Sequence, residues 1–538
     1  MKSKTTILVS LATTLALVAS SFPAVRAQDA DAVPMSLSEC LTQALENNLD
    51  LAIAKKDPEI AWNDVLFQKA VFDPVFGSNA KYTQDKQDVQ TLFQPTPTGT
   101  QTVFVAPTYK TIEIRATLFS RFNFGGTLDA VLWSNRTDSV PAYARQYSPS
   151  YASYLALRFT LPLLKGFGRE VNEYQILVAK QNLSISHEEL RRKAVDTIRT
   201  VEDGYWDLRA AREAQKVAEQ ALKLAQDLYE LNKKKVEVGT LAPIEITQAE
   251  ANVASNVEGV ITSKATVQNA EDALRRLLAV PSGDPLWGRT INPTEQPAAT
   301  ATTIDRDEAI DTALKERPEL IQSRMQLQTA ELSERVAKKE AWHQLDLVTS
   351  LTPTGNNLIE TVELPGPDGI PNTFDDETQF ITGGAGQGLK EIPQFNVYNW
   401  SVELIYKIPI GNRAARANYA SATIAKEKAM LSERNTEELV RVDVRRAVRA
   451  VESGYERVAA ARKNVELQQK KLDAEQKKFD NGMSTSFEVF TFQTDLRNAQ
   501  LSLIRALLDY NKALADLERA KGTLLESKGL KLADNAGR

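Results

Sequence analysis

KKKVEVGTLAPIEITQAE at residues 233–250 and QKKFDNGMSTSFEVFTFQ at residues 476–493 share one design. Each is charged helical text, then a glycine, a short polar break, and helical text again. The same turn made twice, some 240 residues apart, marks an internal repeat.

The repeat extends well beyond the two glycines. Val201-Glu202-Asp203-Gly204-Tyr205 returns as Val451-Glu452-Ser453-Gly454-Tyr455, and Ala210-Ala211-Arg212 as Ala460-Ala461-Arg462. Met35, Glu39, Leu41, Ala44-Leu45 and Leu51 return as Ile304, Glu308, Ile310, Ala313-Leu314 and Leu320. The chain therefore reads as a tandem duplication, hinged at Pro281, Pro285, Pro293 and Pro297. Gly204 lies 35 residues before Gly239, and Gly454 lies 28 before Gly482. The difference of seven is about two helical turns, so it lengthens a helix while nearly keeping its faces.

Each half predicts the same order: an amphipathic helix (Ser36 to Ile53, and from Asp305), a β region, a very long helix, the glycine turn and a returning helix. The long helices are expected from about Asn172 to Val238 and from about Arg413 to Asp480, each roughly 100 Å at 1.5 Å per residue. Ile198, Val201, Tyr205, Leu208, Leu224, Leu228 and Leu231 read as a coiled-coil seam. That periodicity alone fits a plain antiparallel spacer equally well.

The β text separates the two. In Leu155–Leu161 and Val402–Ile408, apolar residues alternate with small or polar ones, with Arg158, Glu403 and Lys407 on one side and Leu, Phe and Tyr on the other. This is the pattern of a strand greasy outside and wet inside. Phe72 to Gln84 and Leu345 to Thr352 are the expected partner strands. Leu161-Pro162-Leu163 and Ile408-Pro409-Ile410 close the runs, since proline ends strand pairing. A soluble sandwich is the competing reading, but each half offers too few strands to cover two faces.

Lys2 and Lys4, the apolar run Ile7 to Val18 and the Val25-Arg26-Ala27 site read as a signal peptide, residues 1–27. An uncleaved anchor is the alternative. Loss of its three positive charges takes the net charge from −5 to −8. No later run of 18 apolar residues suggests a spanning helix. There is no basic block to bind nucleic acid. With one cysteine, Cys40, and two histidines, His187 and His343, the sequence suggests neither disulfide, metal, cofactor nor enzyme. Gly366-Pro367-Asp368-Gly369-Ile370-Pro371-Asn372 with Asp375-Asp376-Glu377 loosely resembles a calcium loop. It lacks ligands at alternate positions and reads better as a solvated loop.

Taken together, Leu37-Ser38-Glu39-Cys40-Leu41-x-x-Ala44-Leu45, Asp307-Glu308-Ala309-Ile310 through Arg317-Pro318-Glu319-Leu320, the two proline exits, Val238-Gly239-Thr240 and Asn481-Gly482-Met483 resemble the TolC-like outer-membrane efflux protein family over roughly residues 35–527. Leu49, where the second half has Pro318, and the longer stretch Thr111 to Ser134 with Gly125-Gly126 depart from its plan. The resemblance implies a mixed α+β membrane protein. A homotrimer would form an outer-membrane β-barrel of about 12 strands, four per chain, continued by a periplasmic α-helical barrel of coiled-coil hairpins. It implies a first repeat at 28–290, a second at 291–528 and a flexible tail at 529–538.

The implied function is an outer-membrane exit duct. It would take small toxic compounds or polypeptides from an inner-membrane pump, through a periplasmic adaptor, to the outside. A type I protein secretion duct and a periplasmic structural spacer remain alternatives. The implied adaptor-docking tips are Val238, Gly239, Thr240 and Leu241 with Asn481, Gly482, Met483 and Ser484. Glycine also suits these turns simply because it accepts φ > 0. Glu245 and Glu488 are the expected periplasmic entrance ring, against the competing reading of acidic residues favoured by the start of a helix.

Overall fold

The computed structural model describes residues 32–96, 99–141, 148–367 and 377–531. The signal-peptide reading, most of the acidic loop at 366–377 and the end of the tail lie outside the described residues. The described chain divides into two units, each drawing on both halves of the sequence.

The first unit holds residues 32–48, 198–301 and 453–513. Ser36 opens helix α1 (Leu37–Asn47) with a reciprocal cap: its hydroxyl accepts from the Glu39 N–H at 3.2 Å, and the Glu39 carboxylate accepts from the Ser36 N–H at 2.9 Å. The single helix expected from Ser36 to Ile53 is broken at Asn48, whose ψ of 125° leaves helical space. Strand β1 (Val33–Met35) pairs in parallel with β8 (Ile291–Pro293). Tyr205, fully buried, fixes that pair by donating to the Met35 carbonyl at 3.2 Å and accepting from the Glu295 N–H at 3.1 Å.

Beside it lies a buried ionic cluster. Glu271 accepts from Arg212 at 2.7 Å, from Arg275 at 3.2 Å and from the Ile291 N–H at 3.2 Å. Arg275 also donates to the carbonyls of Leu286 and Arg289. The carboxylate thus pins the proline-rich link between the halves to α6 (Ile244–Leu277).

The two long helices are α5 (Tyr174–Glu237, 64 residues) and α10 (Arg413–Asp480, 68 residues), preceded in the first case by the short α4 (Arg169–Asn172). Helix α11 (Ser486–Lys521) returns from α10. Ile198, Val201, Tyr205 and Leu208 are buried as their spacing predicts. Leu228 is buried and Leu231 packs half-buried beside it, as expected, but Leu224 is exposed and the buried neighbours are Ala225 and Asn232.

The second unit holds residues 49–197, 302–452 and 514–531. Its helices include α2 (Leu49–Ala54), α3 (Lys56–Lys69), α7 (Arg306–Glu316), α8 (Pro318–Glu340), α9 (Ala385–Glu391) and α12 (Leu524–Ser527). Asp305 caps α7 by accepting from the N–H groups of Asp307 and Glu308. Pro318 starts α8, where a missing N–H costs nothing.

The strands here are β2 (Val75–Lys86), β3 (Gln90–Thr96), β4 (Gly99–Val105), β5 (Thr108–Arg121), β6 (Thr127–Val140), β7 (Ser150–Pro162), β9 (Gln344–Asn356), β10 (Leu358–Leu364), β11 (Glu377–Thr382) and β12 (Val397–Lys407). β3 with β4, and β10 with β11, form separate hairpins. The rest form one six-stranded antiparallel sheet in the order β12-β9-β7-β6-β5-β2.

Four of these strands are the ones expected: β7, β9 and β12 are longer than their signals, while β2 is shifted, starting at Val75 rather than Phe72 and ending at Lys86. The stretch Thr111 to Ser134 supplies the other two, as the hairpin β5–β6. The expectation of four strands per chain is thereby corrected to six in the main sheet.

Register sorts the two faces. Trp400↔Leu351, Leu404↔Leu347, Leu157↔Leu351, Ala130↔Leu157, Leu118↔Ala130 and Phe76↔Leu118 share one face. Ser401↔Ser350, Arg158↔Asp129 and Lys81↔Glu113 lie on the other. One side of the sheet is apolar and the other is polar and charge-balanced, as period-two text dictates.

Candidate functional site

Within the first unit, the two glycine turns have the same backbone. Helix α5 ends where Gly239, at φ +76°, donates its N–H to the Val236 carbonyl at 2.9 Å, and the Thr240 N–H reaches back to the Lys235 carbonyl at 2.8 Å. Helix α10 ends where Gly482, at φ +75°, donates to the Phe479 carbonyl at 3.1 Å, and the Met483 N–H reaches the Lys478 carbonyl at 2.8 Å. Both are Schellman closures, which satisfy the last helical carbonyls and require a left-handed residue. A Cβ at either glycine would meet nothing within 4 Å. The backbone angle alone selects glycine.

The turns differ in how their polar groups close. Thr240 donates its hydroxyl to the Lys235 carbonyl at 2.8 Å, whereas Asn481 donates its side-chain amide to the Lys477 carbonyl at 2.7 Å. Thr485 caps α11 by accepting from the Glu488 N–H at 3.3 Å. Helix α6 has Pro243 at that place and no side-chain cap.

The hairpins are packed together. Phe479 and Val489 are buried with Leu228, Leu472 and Leu496, and Leu231, Leu241 and Phe492 close over them. Lys235 crosses between hairpins: its ammonium donates to the Phe479 carbonyl at 2.9 Å and lies 3.8 Å from the Phe479 ring centroid. Ser486 donates its hydroxyl to the Glu245 carboxylate.

The acidic residues therefore have distinct settings. Glu245 is half-buried at the seam between hairpins, while Glu488 is exposed. Ser484 lies 2.5 Å from Glu475 and 2.7 Å from Glu488. Its single hydroxyl proton can serve only one of them at a time. Donors from Ser484 and Lys478 hold the Glu475 carboxyl below the usual carboxylate range.

Val238, Ile244, Met483 and Phe487 remain exposed around the turns. Ile244, Phe487, Lys235, Phe479, Glu475 and Ser486 were not among the expected site residues. Exposed apolar residues beside a turn glycine were a readable signal. The links between hairpins were not readable, because they join residues some 240 apart. No helix among the described residues is long and apolar enough to cross a membrane.

The chain matches the family described as outer membrane efflux protein in two stretches, residues 40–280 and 309–523. Solved structures match it along most of its length. The outer-membrane channel OprN has a TM-score of 0.61 at 16% identity, covering 90% of each chain. The Campylobacter jejuni CmeC outer membrane channel has a TM-score of 0.58 at 17% identity, covering 93% of this chain and 87% of that one. The open state of the Neisseria gonorrhoeae MtrE outer membrane channel has a TM-score of 0.57 at 16% identity, covering 91% and 89%. At these identities the likeness establishes the fold. No curated protein sequence matches the chain.

Proposed function

Since the chain belongs to the outer membrane efflux protein family, we propose that it is the exit duct of a tripartite efflux or secretion system. In this reading it forms a homotrimer in the outer membrane. It receives small toxic compounds or polypeptides from an inner-membrane pump through a periplasmic adaptor. The two sequence halves are tandem repeats, and each contributes one helical hairpin to a periplasmic tube.

The observation that carries this reading is the six-stranded sheet with one apolar and one polar face. Its strands run from 11 to 14 residues, enough to cross a bilayer at a tilt. An open sheet in lipid leaves backbone groups unpaired along its edges, so closure needs further copies. The long helices, of 64 and 68 residues, have a contour of roughly 100 Å and suit a periplasmic extension.

Val238, Gly239, Thr240 and Leu241 with Asn481, Gly482, Met483 and Ser484 are the proposed docking surface for the adaptor. Four apolar side chains exposed there, Val238, Ile244, Met483 and Phe487, support it. Glu488, with Glu245 in support, is the proposed acidic ring of the periplasmic entrance.

Membrane fractionation followed by mass measurement of the detergent-extracted protein tests the reading. Recovery from the outer membrane as three copies is the expected result. A soluble periplasmic protein would favour the spacer instead, and a stable monomer would overturn the duct.

A further inference from the structure

β12 and β2 are the two edges of the main sheet. No described strand pairs with their outer sides. Both are long and unblunted: β12 has 11 residues, β2 has 12, and neither contains proline. Every residue of β12 except Ile405 is exposed, and so is every residue of β2 except Gly77 and Thr83. Natural sheets rarely leave such edges free, because they template further pairing.

The strand count decides what can fill them. Neighbours in this sheet are antiparallel and their number is even, so β12 and β2 run in opposite directions. Identical copies set round a ring therefore bring β12 of one antiparallel to β2 of the next, with the apolar faces on the same side. An odd number would have made that contact parallel. The polar faces also match. Glu403 lies on the polar side of β12 and Lys81 on the polar side of β2, which gives opposite charges across the seam.

We propose that three copies close an 18-stranded barrel, six strands from each, through a β12–β2 seam between copies. The inference rests on the trimeric duct reading above and adds its size and its joint. The β5–β6 hairpin is what enlarges the ring: without it each copy would give four strands and the ring twelve. Barrel diameter grows roughly in proportion to strand number, so the mouth is about 1.5-fold wider than a 12-stranded one. With strands about 4.8 Å apart and tilted by about 40°, the backbone diameter is about 36 Å rather than about 24 Å. Facing pairs such as Lys81↔Glu113 and Arg158↔Asp129 leave the lumen charge-balanced, so the barrel itself imposes little ion selectivity. Selection then falls to the helical part of the duct.

Cysteine crosslinking in intact outer membranes tests the seam. Glu403→Cys is combined in turn with cysteine at the polar-face positions of β2: Gly77, Asn79, Lys81, Thr83 and Asp85. Oxidation of one of these double variants, or of two adjacent ones, is expected to yield covalent dimers and trimers. The single variants should yield none. End-on electron-microscopy views of the unmodified protein should show the wider barrel. A three-copy mass with no crosslink in any double variant and a backbone diameter near 24 Å would overturn the seam while leaving the duct standing. A monomer would overturn both.

Discussion

The Ser486 hydroxyl donates to the Glu245 carboxylate, joining the starts of α11 and α6 across 241 residues of sequence. Ser486 is buried and Glu245 half-buried. A hydrogen bond to a charged group contributes about 1.5–3 kcal/mol net, and partial exposure of the carboxylate lowers that to about 1–2 kcal/mol. Ser486→Ala should therefore speed hydrogen exchange over residues 238–250 by roughly tenfold. An unaltered rate would show that the apolar cluster around Phe479 holds the hairpins without this link.

Glycines with the same backbone angle are predicted to differ in their tolerance of a side chain. Gly239 and Gly482 face open space, so Gly→Ala there should cost about 1 kcal/mol for the left-handed backbone alone. Gly522, at φ +80°, would place a Cβ 2.9 Å from the carbonyl carbon and oxygen of Glu316. Backbone cannot step aside as a side chain can. Gly522→Ala should cost about 2–4 kcal/mol from strain and overpacking together. Thermal unfolding of the three variants checks the order, and equal melting temperatures would refute it.

The buried Glu271 carboxylate is surrounded by its partners Arg212, Arg275 and the Ile291 N–H. Glu271→Ala removes the carboxylate that Arg212 and Arg275 share; Arg275, 6% exposed, keeps Asp272 at 2.6 Å, while Arg212 loses its acidic partner. Breaking a buried pair in this way costs about 3–5 kcal/mol. Glu271→Gln keeps the shape and part of the hydrogen bonding and should cost less. Denaturant unfolding of both variants measures the difference. Equal, small losses would mean that the proline-rich link is held chiefly by the Tyr205 bonds to Met35 and Glu295.

Burial, helped by the nearby charges of Glu39 and Glu295, pushes the Cys40 thiol up from 9.0 to about 12. Its folded pKa is therefore above its unfolded value. The contribution is fully present below pH 9 and is lost as pH rises toward 12, because only the unfolded chain ionises in that window. Cys40→Ala should remove this part of the alkaline loss of stability. The difference between the two melting curves, followed from pH 8 to 11, is the readout. Native Cys40 should also resist alkylation at about pH 8 and react only once the chain is unfolded. Rapid reaction in the folded protein would show that the site is open.

Local rules were the most legible part of this chain. The helix start at Ser36, the two turn glycines and the strand faces each follow from a few adjacent residues. The break at Asn48 was missed because periodicity ran on through it to Ile53. Leu224 was misplaced because an apolar residue on a long helix does not by itself fix which face is buried, and its neighbour Ala225 takes that place. The β5–β6 hairpin left only its length and Gly125-Gly126 in the text. Its membership in the sheet depends on pairing with β2 and β7, which no local pattern encodes. The contacts of Ser486 and Lys235 between hairpins depend on how two distant turns lie side by side.

Glu488 allows a separate test of the entrance. It is exposed and lies 2.7 Å from the Ser484 hydroxyl, which is also 2.5 Å from Glu475. The Thr485 cap already serves the start of α11, so the carboxylate of Glu488 is not needed to satisfy that end. In the proposed trimer, three copies of Glu488 would crowd negative charge at the mouth. Such a ring attracts cations and repels anions. Glu488→Gln keeps a hydrogen-bond acceptor for Ser484 and removes the charge. Reconstituted channels of this variant should lose cation preference and be blocked less by multivalent cations, with melting unchanged to within about 0.5 kcal/mol. Glu475→Gln supplies the control. Glu475 is 8% exposed in its side chain and bonded to Lys478, so its loss should disturb the turn and leave selectivity alone. Unchanged selectivity in Glu488→Gln would place that carboxylate outside the conduction path.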